Sequence, residues 1–115
     1  MGVIDKEKFT ENFQYFDKEI VADIINIFID EYPERMATLQ KNIEEKDFEQ
    51  LGFNAHSLKG VIANFVAPEP QELARTLEMK GKNSDPEGVE DIFAQLKEKG
   101  DMLLEELKEL KKDFE

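Results

Sequence analysis

The sequence has 115 residues with no cysteine and no tryptophan, and its single histidine is His56. Without cysteine, the chain can form neither disulfide bonds nor thiolate metal sites. With one histidine, a zinc site would need mostly carboxylate ligands, which is an unusual donor set for zinc. We therefore expect this chain to bind no metal and no other cofactor.

Basic residues are also few, because 27 Asp and Glu residues outnumber 15 Lys and Arg residues and give a formal net charge of −12. Nucleic acids and anionic membranes bind proteins largely through basic side chains, so this balance argues against both partners. No apolar run approaches the roughly 20 residues of a membrane span, and no signal-peptide pattern opens the chain. We expect a soluble, cytoplasmic monomer whose acidic surface favours solubility.

Strand and hairpin patterns are absent, and the apolar residues recur at helical intervals instead. The clearest case is a spacing of three and four residues that an α-helix gathers onto one buried face. This stripe consists of Phe48, Leu51, Ala55, Leu58, Ile62 and Phe65. Asp47, just before the stripe, and Gln50 have the spacing of a capping box, which marks the start of the helix.

The expected fold is all-α, an up-and-down antiparallel four-helix bundle with a short N-terminal lid helix. The length indicates one domain with its own core, in which residues 1–16 form the lid and residues 17–115 form the bundle. Phe9 and Phe13 should cover one end of the bundle. Asp17 is the expected N-cap of the first bundle helix.

Two prolines should mark helix boundaries. Pro33 lacks an amide donor and disfavours helical geometry at Tyr32, so the helix should break or kink there. Asp85 and Pro86 have the pattern of an N-cap followed by proline at the first helical position, and should open the last helix.

His56 does not belong to the buried stripe of its helix. It points about 120° from the centre of the stripe, so the imidazole should face solvent. Lys59 lies one turn further along the same side, and Gly52, Gly60 and Ala63 are small residues nearby. Such a low, accessible surface would allow a partner protein to approach the imidazole closely.

The run His56-Ser57-Leu58-Lys59-Gly60 resembles the motif of histidine-containing phosphotransfer (HPt) domains, usually His-x-Leu-Lys-Gly, on a helix of a four-helix bundle. The similarity extends from about Phe16 to the end of the chain and includes the segments 16–39 and 73–78. This extended similarity indicates the family more strongly than the five residues of the motif would alone.

Val66 is a departure from the family pattern, which usually has glycine ten residues after the histidine. Positive φ is costly for a β-branched residue, although a glycine would adopt it readily. We therefore expect Val66 to be right-handed or extended, with Pro68 stopping the helix.

The resemblance implies that His56 is a phosphorylated nucleophile, which takes a phosphoryl group from a receiver-domain aspartyl phosphate and passes it to another receiver aspartate. Lys59 would stabilise the phosphoryl charge, and Gly60 would leave space for it. Glu78, in the next helix, would hydrogen-bond the imidazole, although an ordinary surface glutamate is an equal alternative. The implied partners are response-regulator receiver domains and a hybrid sensor histidine kinase, with Mg²⁺ bound by the receiver only.

The chain has no glycine-rich phosphate loop and no Walker-type sequence, so we expect a phosphotransfer intermediate without kinase activity of its own. Two other classes remain open. One is a non-catalytic helical binding module that docks on a receiver or kinase domain. The other is a helical assembly protein that pairs with another helix through its apolar faces.

Phe53 lies one turn before His56 and about 180° from the centre of the stripe, so its ring should be exposed beside the histidine. Aromatic side chains supply much of the binding energy of small interfaces. The expected docking surface therefore comprises Gly52, Phe53 and Ala63. The alternative is that the lid covers the ring of Phe53.

Overall fold

The structure, a computed structural model, describes residues 2–114, and all regular elements in that range are helical. The elements are α1 (Lys6–Phe13), α2 (Lys18–Glu44), α3 (Phe48–Ala63), α4 (Pro68–Lys82), α5 (Val89–Lys111) and a short 3-10 helix (Lys112–Phe114). The predicted all-α class is therefore confirmed. None of the helices in residues 2–114 is both long enough and apolar enough to cross a membrane.

The four longer helices pack around a common core, in which α3 contacts α2 and α4, and α5 contacts α2 and α4. Side-chain contacts show that α2 and α3 run in opposite directions, since Asn54 pairs with Asn42 and Phe65 packs on Phe28. The predicted stripe of α3 lies in this core, with Phe48 half-buried and the other five residues buried. Burial of each large apolar side chain stabilises the fold by about 1.5–3 kcal/mol.

Helix α1 covers one end of the bundle. Its aromatic residues Phe9 and Phe13 are buried, and the ring of Phe9 lies 6.2 Å from that of Phe114. The backbone amide of Asp5 donates a hydrogen bond of 2.8 Å to the carbonyl of Val66. These contacts agree with the predicted lid and locate it where α3 and α5 end.

The predicted break at Pro33 is wrong, because α2 continues through it from Lys18 to Glu44, whereas the alternative of a kink stays a prediction. Pro33 is exposed, whereas Phe28, Tyr32 and Met36 on the same helix are buried. A proline in a helix interior costs about 3 kcal/mol. The burial of several large side chains on both sides of it offsets that cost.

The expected backbone conformation of Val66 is also wrong, since its φ is 55°. Helix α3 ends at Ala63, and the left-handed residue turns the chain so that Phe65 and Ala67 are both buried. The Val66 carbonyl also accepts the hydrogen bond from Asp5. These contacts offset a conformational cost of about 1–2 kcal/mol.

The start of α5 lies later than predicted. The helix begins at Val89, and its N-cap is Gly88, with φ 71°. The Asp85 carboxylate accepts a hydrogen bond from the amide of Glu87 and forms a turn ahead of the helix. Asp85 therefore stabilises the connection rather than the helix itself.

Candidate functional site

His56 lies on the outer side of α3. The helix begins after Asp47, whose carboxylate accepts a hydrogen bond of 3.2 Å from the amide of Gln50, as the predicted N-cap requires. From this start, helical periodicity directs Ala55 into the core and His56 toward solvent. The His56 side chain is 65% exposed, so its ring is accessible to another protein.

The carboxylate of Glu78 holds the imidazole from α4. His56 Nδ1 lies 2.8 Å from Glu78 Oε2, and Glu78 is only 2% exposed. An ionised carboxylate can only accept hydrogen bonds, so Nδ1 is the nitrogen that carries the proton. Nε2 of the neutral ring is therefore left with the lone pair. Glu78 is not the ordinary surface glutamate of the alternative interpretation.

Two lysines complete the surroundings of Glu78. Lys59 Nζ lies 2.7 Å from Oε1, and Lys82 Nζ lies 3.0 Å from Oε2. Lys59 was expected near His56 from the sequence, whereas Lys82 was not. Its spacing of four residues from Glu78, typical of a helical ion pair, was the signal that could have identified it.

The pKa of Glu78 reflects these opposing effects. Burial alone raises the pKa of this carboxyl, because desolvation disfavours its charge. The ion pairs with Lys59 and Lys82 and the hydrogen bond from His56 outweigh burial and lower the pKa of Glu78 to about 2. Glu78 is thus ionised near neutral pH and accepts a hydrogen bond from the Nδ1–H group of His56.

Acid should remove the stability that ionised Glu78 provides. Because the pKa in the folded protein lies below the unfolded value of 4.5, this contribution is present above about pH 4.5 and lost as pH falls toward 2. The unfolding free energy of the wild type relative to Glu78→Gln should fall by about 2 kcal/mol between pH 5 and 3. Urea unfolding at each pH measures this difference.

Glu72→Gln is the control for that titration, since Glu72 is also on α4 but forms an exposed ion pair with Arg75. Exposed pairs contribute little, so its stability curve should parallel that of the wild type. A Glu78→Gln curve that also parallels the wild type would contradict the stabilising role of the Glu78 charge.

A close contact of two glycines sets the position of α4 against α3. A Cβ atom on Gly81 would lie 2.8 Å from the Phe48 carbonyl oxygen and nearer still to the backbone of Gly52. The expectation that Gly52 lies on the accessible surface is therefore wrong. It is buried, because α4 packs directly on its backbone.

The surface around His56 is open and partly apolar. Gly60 and Ala63 are exposed, and a Cβ atom on Gly60 would contact nothing within 4 Å. Phe53 is 70% exposed, as predicted, and the lid aromatics are buried elsewhere in the core.

A cavity of about 580 Å³ opens beside the histidine between the start of α3 and the end of α4. Phe53, His56 and Lys82 are among the residues that line it, and Gly52 and Gly81 contribute backbone. Among residues 2–114, no group of three or more His, Asp or Glu side chains has an arrangement that could hold a metal ion. The chemistry available here is that of an oriented imidazole with neighbouring ammonium groups.

Comparison with known protein families gave one match. The family model described as "Hpt domain" matches residues 23–113, which include α3, α4 and all but the last residue of the 3-10 helix. No curated protein and no solved structure gave a significant match. The matched range contains His56, Lys59, Glu78 and Lys82.

Proposed function

The chain belongs to the Hpt domain family, and we propose that it is a phosphorelay protein that carries the phosphoryl group on His56. Hpt domains are phosphotransfer modules of two-component signalling and interact with receiver domains and kinases. The proposal rests on one observation. His56 lies on an exposed helix face, and its Nδ1 atom is 2.8 Å from the ionised carboxylate of Glu78. This contact leaves Nε2 as the nucleophile.

The reaction is a phosphoryl transfer in which the protein supplies position and charge. The lone pair of Nε2 attacks phosphorus of a receiver aspartyl phosphate, and the P–O bond to the aspartate breaks as the Nε2–P bond forms. The electron pair of the broken bond stays with the leaving carboxylate. The proton on Nδ1 stays in place, and Glu78 stabilises the positive charge that develops on the ring. Transfer to a second receiver reverses these steps.

Lys59 and Gly60 assist this step in different ways. Lys59 holds an ammonium one turn from His56, where it can stabilise the phosphoryl oxygens, and its ion pair with Glu78 restricts its position. Gly60 leaves the surface beyond the ring without a side chain, which gives the incoming receiver room to approach. Both roles depend on the common helix that carries the three residues.

The partners in this proposal are response-regulator receiver domains and a hybrid sensor histidine kinase, with Mg²⁺ supplied by the receiver. The chain acts as a monomer with neither nucleic acid nor membrane as a partner, in keeping with its net charge of −12. The docking surface centres on Phe53, Gly60 and Ala63, with Gly52 contributing only backbone beneath it.

Incubation with a radiolabelled, phosphorylated receiver domain tests the proposal. Transfer of acid-labile label to the chain supports a phosphorelay function. Stable binding without transfer would instead support the second candidate, a binding module, which the exposed ring of Phe53 beside His56 favours. Neither binding nor transfer with any receiver of the source organism would contradict both functions.

Phe53→Ala should weaken receiver binding about tenfold while changing the unfolding free energy by less than about 0.5 kcal/mol. The ring is mostly exposed in the free protein, so its removal leaves the core intact. Titration calorimetry and thermal melting measure the two quantities. Tyr15→Ala is the matched control, because Tyr15 is an exposed aromatic residue in the turn before α2. A large fall in melting temperature with unchanged affinity would show that Phe53 serves packing instead.

A further inference from the structure

Lys82 is the second lysine at the Glu78 carboxylate and lies at the end of α4. Its Nζ atom is 3.0 Å from Glu78 Oε2, and His56 Nδ1 is 2.8 Å from the same oxygen. Lys59 contacts the other oxygen, Oε1. Lys82 is therefore the cation that shares a carboxylate oxygen with the imidazole.

The two lysines differ in their exposure to solvent. The side chain of Lys59 is 26% exposed, whereas that of Lys82 is 60% exposed. A solvated ion pair contributes little stability, so Lys82 can leave Glu78 at small cost. The more buried Lys59 must stay, because a buried carboxylate without a partner is strongly unfavourable.

The cavity beside α3 connects Lys82 with His56, since both side chains line it. It is open to solvent and has a volume of about 580 Å³. A phosphoryl group on the ring therefore has space to lie beside the Lys82 ammonium. Lys82 is the last residue of α4, and its long, exposed side chain can turn toward this space by rotation about its own bonds.

The charges of the cluster also favour such a contact. Two lysines and one carboxylate leave one positive charge in excess around a neutral imidazole. A phosphoryl group brings about two negative charges, whereas the phosphorylated ring that keeps its Nδ1 proton carries one positive charge and the charge of Lys59 is already offset by Glu78. We propose that Lys82 leaves Glu78 and pairs with the phosphoryl oxygens on His56, which stabilises the phosphorylated form.

This inference rests on the proposed phosphorylation of His56. When the Nε2–P bond forms and the P–O bond of the donor breaks, Lys82 exchanges a carboxylate oxygen for a phosphoryl oxygen and keeps its protons. Lys82 then favours the phosphorylated chain over the unphosphorylated chain. The equilibrium of transfer with a receiver is the corresponding observable.

The test measures how label divides at equilibrium between the full chain and a receiver domain. Lys82→Ala should shift the equilibrium constant about fivefold toward the receiver, and Lys82→Arg should restore it. Added salt should diminish the difference between wild type and Lys82→Ala, because it screens an exposed pair. Lys97→Ala is the matched control, since Lys97 forms a similarly exposed pair with Asp101 on α5.

An equilibrium constant tests the role directly, because it depends only on the free proteins and not on docking. A Lys82→Ala variant with slower transfer but an unchanged equilibrium constant would overturn the inference and assign Lys82 to docking. A variant with unchanged rate and equilibrium would overturn it as well. Failure of the wild type to accept label from any receiver would instead refute the proposed function, and the inference with it.

Discussion

His56→Gln should abolish acid-labile phosphorylation of the chain by a phosphorylated receiver. His56 is the only histidine in the sequence, so no other residue can form a phosphohistidine. The unfolding free energy should change by less than about 0.5 kcal/mol, because the side chain is exposed and glutamine favours helix at least as well. Label retention on an acid-treated gel and thermal melting measure the two effects.

The His56→Gln variant should lose phosphoryl transfer while it keeps its affinity for the receiver. Glutamine can still donate a hydrogen bond to Glu78, and the docking surface around Phe53 stays intact. Receiver affinity should therefore remain within about twofold of the wild type, a difference of about 0.4 kcal/mol. Persistent acid-labile label on His56→Gln would refute the assignment of the phosphorylated residue.

Gly81→Ala should lower the unfolding free energy by roughly 2 kcal/mol, which corresponds to a melting temperature about 8 °C lower. A Cβ atom at this position would collide with backbone atoms of Gly52 and Phe48, so α3 and α4 must separate. Their separation moves Glu78 away from His56 and should also slow transfer. Thermal melting and transfer kinetics of the same sample measure both changes.

Gly60→Ala is the control for a glycine in a helix without such a contact. A Cβ atom there meets nothing within 4 Å, so the substitution should stabilise the chain by about 0.5–1 kcal/mol. A rise in the unfolding free energy for Gly60→Ala together with a fall for Gly81→Ala would distinguish the effect of helix propensity from that of helix packing. Equal stabilisation at both positions would contradict the close contact of α3 and α4.

The sequence was most informative where periodicity and side-chain chemistry agree. The α3 stripe, the N-cap at Asp47 and the exposed sides of His56 and Phe53 all follow from one helix with a known start. The resemblance to HPt domains then pointed to Glu78 on a different helix. Neither periodicity nor composition could have paired the two residues, because their contact depends on how α4 packs.

The errors occurred where tertiary contacts outweigh a local preference. Pro33 stays helical because its neighbours are buried, and Val66 adopts positive φ because its carbonyl bonds to Asp5. Glycine has no side chain whose polarity could indicate burial, so the sequence did not predict that Gly52 packs against Gly81. Lys82 was missed because its contact with Glu78 depends on α4 continuing past Gly81 to Lys82.

The connection of residues 64–67 between α3 and α4 determines which residue of α4 meets His56. It ends α3, turns the chain at Val66 and begins α4 at Pro68, so that Glu78 points toward the imidazole. Phe65 and Ala67 are buried on either side of the left-handed Val66, so an inserted residue would disturb this turn and shift the start of α4 against α3. Insertions and deletions in this connection should therefore be far less tolerated during evolution than those in residues 83–88, which follow Lys82, the last residue of α4 that contacts Glu78.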